Sequence, residues 1–77
     1  MKTISIKYDI GDEVMVPDVD GIHTGIVMHV QWNNSIGAYY TVQYLQYDQN
    51  NKAVPIYWEF TEEEIDKAIS VANNDKQ

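Results

Sequence analysis

Few residues in this 77-residue chain have the types and spacing that do chemistry. There is no cysteine to act as a nucleophile or thiolate ligand, and Ser5, Ser35 and Ser70 sit in no elbow-like motif. The two histidines, His23 and His29, have no spaced partners of a catalytic triad or a zinc site, and they read as one exposed loop histidine and one surface strand histidine. Asp18-Val19-Asp20-Gly21 has the start of a calcium loop. Counting from Asp18, however, the fifth, sixth and twelfth positions are Ile22, His23 and His29, where such a loop needs an oxygen ligand, a glycine and a glutamate. The segment reads instead as a turn with solvated carboxylates. We therefore expect no enzyme, no cofactor and no metal.

What remains are two surfaces suited to contact. Ten of the twelve carboxylates fall into an early group (Asp9, Asp12, Glu13, Asp18, Asp20) and a late one (Glu59, Glu62, Glu63, Glu64, Asp66). If the first loop folds beside the late group, the two make one acidic face able to occupy a basic groove on a partner by imitating nucleic-acid phosphates. Solvation and the favourable placement of acids at a helix start account for the late group equally well. The second surface is aromatic. Tyr40, Tyr44, Trp58, Phe60 and Trp32 have the parity and bulk of core residues. Tyr39, Tyr47 and Tyr57 have the opposite parity and are expected on an outward sheet face, together with the loop residues Asp18, Asp20 and His23, as the partner-binding site.

Elements must position these groups. Ile4, Ile6, Tyr8 and Ile10 alternate with polar residues, the pattern of a half-buried strand. Glu13 to Pro17 is a second strand, and its proline marks a strand end or an edge. Asp18 to Thr24 reads as a loop. In Gly25 to Trp32, Ile26, Met28, Val30 and Trp32 share one face, and Val27, His29 and Gln31 the other. Asn33 to Gly37 is a hairpin turn. The strand Ala38 to Tyr47 changes parity between Tyr44 and Leu45, which predicts a bulge or sharp bend near Tyr44. Val54, Ile56, Trp58 and Phe60 alternate through a last strand. Thr61 and Glu64 then form a capping box, with Phe60 and Ile65 as its hydrophobic staple, ahead of a helix whose apolar stripe is Ile65, Ala68, Ile69 and Ala72.

The stretch from Tyr8 to Ile65 resembles small SH3-like barrels of the Tudor and KOW type. The resemblance rests on Ile10-Gly11-Asp12-Glu13-Val14, on Gly25-Ile26-Val27, and on the ending Tyr57-Trp58-Glu59-Phe60-Thr61-Glu62-Glu63-Glu64-Ile65. It is similar in this to many short bacterial and phage proteins. What it implies is fold class alone: mainly β, a small SH3-like barrel of about five strands with a C-terminal α-helix. Residues 1–72 are expected to form the single domain and 73–77 a frayed tail.

Composition narrows the partners. Five lysines, no arginine and a net charge of −7 disfavour direct nucleic-acid binding, which depends on neutralising phosphates. Apolar runs are too short to span a membrane or form a signal peptide, so a cytoplasmic location is expected. The reading is a non-enzymatic module of a bacterium or its phage that contacts a protein partner, with a free strand edge offering a route to a homodimer. The alternative is an acidic inhibitor that mimics nucleic acid to block a host defence or DNA-binding protein.

Overall fold

The computed structural model describes residues 6–74. Four strands, β1 (Glu13–Asp18), β2 (Gly21–Asn33), β3 (Gly37–Tyr47) and β4 (Ala53–Thr61), precede one helix, α1 (Glu62–Asn74). All neighbours are antiparallel and the order is β1-β2-β3-β4, an open meander. The strand expected over Ile4 to Ile10 lies partly outside the described residues. Over Ile6 to Ile10 the chain is not a strand.

Tight turns set the meander. β1 and β2 join through Val19 and Asp20 alone, because Gly21 at φ 134° and the Asp18 carboxylate, accepting from the Val19 amide at 2.7 Å, close a short hairpin. The expected loop from Asp18 to Thr24 is thus mostly strand, and Ile22 to Thr24 pair with Met15 to Pro17. Pro17 is on edge strand β1, as its missing donor requires. Helix α1 starts where the capping box places it. The Thr61 amide and hydroxyl donate to Glu64 Oε1 at 3.0 and 3.2 Å, and the Glu64 amide donates to Thr61 Oγ1 at 3.2 Å.

One sheet face is covered. Val14 and Val16 of β1, Val27 of β2, Ala38, Tyr40, Val42 and Tyr44 of β3, and Phe60 of β4 form the core with Ile65, and Ala68 of α1 is buried beside them. Helix α1 packs chiefly over β1, the far edge from the strand it follows. Gly25 is obligatory in this face. A Cβ there would lie 2.5 Å from Val42 Cγ1 and 2.6 Å from the Gln43 carbonyl oxygen.

Two expectations of parity are corrected. The irregularity lies in β2, where the register shifts between Val27 and His29, and β3 pairs with β4 without interruption. Met28 is the extra residue, so Val27 and Val30 face the core while Ile26, His29 and Gln31 face outward. The apolar residues of β3 change parity for a different reason. Beyond Tyr44 the core-side position is the polar Gln46, which donates to Asp18, and Leu45 and Tyr47 are outward and exposed. The core aromatics are likewise corrected. Tyr40, Tyr44 and Phe60 are buried, but Trp32 is 40% and Trp58 64% exposed. Both indoles have core-side parity, being opposite the buried Ala38 and Val42, but they lie beyond the cover that α1 provides.

Candidate functional site

The three tyrosines expected to face outward do share the outer side of the sheet, where the unbroken β3–β4 register sets Tyr39 opposite Thr61, Tyr57 opposite Gln43 and Tyr47 opposite Ala53. They are not neighbours. Tyr57 lies level with Gln43, four residues along β3 from each of the others, or about 13 Å at the strand rise. Tyr39 is half-buried, while Tyr47 and Tyr57 are 67% and 54% exposed. The Tyr57 hydroxyl accepts from Gln43 Nε2 at 2.8 Å, which fixes the ring against the sheet. The sequence reading missed the apolar residues between them. Ile26 lies opposite Gln43 on the other side of β3, and Ile26 and Leu45 line one shallow groove. Ile22, Ile26, Leu45, Tyr47 and Tyr57 are all exposed. Alternation would have found Ile26 on this face only if the bulge at Met28 had been foreseen.

The carboxylates of the first turn point to the opposite, core side. Asp18 Oδ2 accepts from the Tyr44 hydroxyl at 3.0 Å and from Gln46 Nε2. The Val19 amide, then the Tyr44 and Gln46 donors, hold the Asp18 carboxyl below the usual aspartate range. His23 is not an exposed loop residue. It belongs to β2, its ring lies 5.3 Å from that of Tyr44, and its Nε2 is 2.7 Å from Asp20 Oδ1. Ligand atoms of Asp18, Asp20 and His23 lie within 4.8 Å of one another, close enough for a divalent ion. Hydrogen bonds inside the protein already account for their arrangement.

The helix-start glutamates divide by role. Glu62 Oε1 accepts from the buried Tyr40 hydroxyl at 2.5 Å and from the Lys7 amide at 3.0 Å. Glu64 closes the capping box, and Glu63 is exposed. Asp66 accepts from the Tyr8 hydroxyl and from Lys7 Nζ at 3.1 Å. Most of the late acidic group is therefore engaged in tethering residues 7–8 and capping α1. One juxtaposition that a shared acidic face requires is present: Asp18 and Glu64 line the same groove of about 550 Å³, with Tyr44, Trp58 and Phe60.

The fold defines a class, a small mainly-β domain whose described residues form four antiparallel strands covered on one side by a helix, and no helix among them is long and apolar enough to cross a membrane. Comparison with protein-family models, with curated proteins and with solved structures finds no match to this chain.

Proposed function

We propose that this protein is a non-enzymatic protein-binding module whose contact surface is the outer face of the sheet. One observation carries the reading: that face has no covering element among the described residues, and it presents Ile22, Ile26, Leu45, Tyr47 and Tyr57 to solvent on paired, rigid strands. Exposed aromatic and aliphatic side chains grouped on one face are the usual core of a protein interface. The SH3-like barrel and the bacterial or phage origin implied by the sequence resemblance belong to this reading, as does a cytoplasmic setting.

The test is comparative capture. Tagged chains carrying Leu45→Ser or Tyr57→Ala should lose the partners that the parent retains from a bacterial lysate, while keeping the parent's circular dichroism. Retention of the same partners by both variants refutes the outer face as the contact surface.

The second reading, an acidic mimic of nucleic acid, draws on the net charge of −7 and on the groove shared by Asp18 and Glu64. It ranks lower because Glu62, Glu64 and Asp66 are hydrogen-bonded within the protein. Under that reading Glu63→Lys with Asp20→Lys abolishes partner capture, and capture by the parent falls steeply between 0.05 and 0.5 M salt, by roughly tenfold or more.

A further inference from the structure

The outer face of the sheet is nearly free of charge, in a chain of net charge −7. Of the twelve carboxylates, Glu13 and Glu59 alone have outward positions on β1 to β4. The register fixes what stands beside Glu59. Thr41 of β3 pairs with His29 of β2 on one side and with Glu59 of β4 on the other, and both flanking residues are exposed. With strands about 4.8 Å apart, His29 and Glu59 are about 10 Å from each other, too far for an ion pair within one chain. One rung further along, Gln43 pairs with Ile26 and with Tyr57 in the same way. The extra residue Met28 makes this alignment, because it leaves Ile26 and His29 both outward.

These rungs are complementary to a rotated copy of themselves. A two-fold axis running along β3 just above the face returns each rung to its own level and exchanges the β2 and β4 sides. His29 then stands over the second copy's Glu59, Ile26 over its Tyr57, and Leu45 over its Leu45. The first two pairs each occur twice. Glu13, on edge strand β1, has no strand of the second copy above it and stays in water. An axis across the strands at Gln43 fits worse, since it sets Glu59 over the second copy's Pro55. The favoured axis gives the aligned packing that twisted sheets adopt, with strand directions within about 30°.

We propose that the occupant of the outer face is a second copy of this chain, packed sheet on sheet about this axis, which rests on the reading of that face under Proposed function. Two molecules of charge −7 repel, so they can meet only where carboxylates are absent or paired. The outer face meets that condition, because Glu59 gains His29 and Glu13 lies outside the overlap. Contact removes Ile26, Leu45 and Tyr57 from water. From Tyr39 to Tyr47, β2 to β4 have a flat footprint of about 14 by 27 Å, roughly 400 Å² per copy and more as accessible surface. That is the lower end of specific interfaces, which suits a reversible pair with a dissociation constant on the order of 10–100 µM.

The experiment is analytical ultracentrifugation of the full-length chain from about 5 µM to about 1 mM, a range that brackets the expected constant. The variants are Leu45→Ser, His29→Glu and Glu59→Lys, all at exposed positions, with the fold checked by circular dichroism. The parent should pass from monomer to dimer across the range. Leu45→Ser changes both sides of a contact on the axis and should weaken the dimer about tenfold or more. His29→Glu and Glu59→Lys should each weaken it about threefold to tenfold. An equimolar mixture of these two variants should recover the parent's affinity, because each introduced charge then faces an opposite one across the axis. A parent that stays monomeric throughout overturns the proposal, yet leaves the outer face open to a foreign partner, which the capture experiment reports separately. A dimer indifferent to Leu45→Ser, or a mixture that associates no better than its components, also overturns it.

Discussion

The Tyr40 hydroxyl joins three parts of the chain. It accepts from the amides of Lys7 and Tyr8 at 3.2 and 3.3 Å and donates to Glu62 at 2.5 Å, while its ring is fully buried. Tyr40→Phe keeps the packing, strips the acceptor from the Tyr8 amide and leaves the Lys7 amide with Glu62 Oε1 alone. A loss of about 1–3 kcal/mol is expected, measured by urea unfolding, with residues 7–8 gaining amide exchange. Asp18 and Asp66 have the same coupling in charged form. Both carboxyls are held below the unperturbed aspartate value of 3.8, Asp18 first by the Val19 amide and Asp66 first by the Tyr8 hydroxyl. A lowered folded pKa means that the unfolded chain binds the proton more readily. Their contribution to stability is therefore complete above the unfolded pKa and is lost as pH falls through the lower, folded one. Thermal unfolding followed from pH 6 to pH 2 should show a fall beginning near the unperturbed value, and the double variant Asp18→Asn, Asp66→Asn should show a shallower one. Burial first, and then the neighbouring carboxylates Asp66, Glu62 and Asp18, push the phenols of Tyr8, Tyr40 and Tyr44 up. Their contribution is present below the ordinary phenol pKa and is lost in strong alkali.

Elements here are fixed by a few local devices. Thr61→Ala removes the side-chain acceptor for the Glu64 amide, and a loss of about 1 kcal/mol is expected in chemical denaturation, with helical ellipticity falling more than the strand signal. Gly25→Ala tests the closest approach of β2 to β3. The added methyl meets backbone as well as the Val42 side chain, so relief requires strand movement, and a loss of about 1–3 kcal/mol or more is expected. The helix, its cap and its staple were legible in the sequence because each depends on residues no more than five apart. Strand existence was legible for β1 to β4 for the same reason. The bulge at Met28 was not, because a bulge is decided by which pairing of two strands buries more apolar surface. Val27 and Val30 both reach the core only if one residue between them is left over. Ile26 was placed on the wrong face in consequence.

At the scale of the whole molecule, the helix is the main cover for the sheet's inner face among the described residues, with Tyr8 packed against Tyr40 beside it. A chain ending at Thr61 loses Ile65 and Ala68 and exposes Val14, Val16 and Tyr40. It is expected to unfold without cooperativity and to bind a hydrophobic dye, whereas the full chain gives a single sigmoidal urea transition. Two exposed surfaces also arise at this scale: the outer face, which no element covers among the described residues, and the groove beside Trp58 that the helix leaves open.

The residue order by itself determined that this is a β-rich domain ending in a capped helix, that its surface is acidic, and that Tyr39, Tyr47 and Tyr57 lie on one side. These follow from period-two alternation, charge count and short-range hydrogen bonding, all of which are properties of a chain and its nearest neighbours. Only the tertiary structure decided that Trp58, with the parity of a core residue, stands in solvent, and that Asp18 and Glu64, 46 positions apart, face the same space. The reason is that parity selects a side of the sheet, but burial depends on where the covering helix lands. The path of α1 from β4 across to β1 is set by the packing of Ile65 and Ala68 against distant strands, which no local pattern encodes.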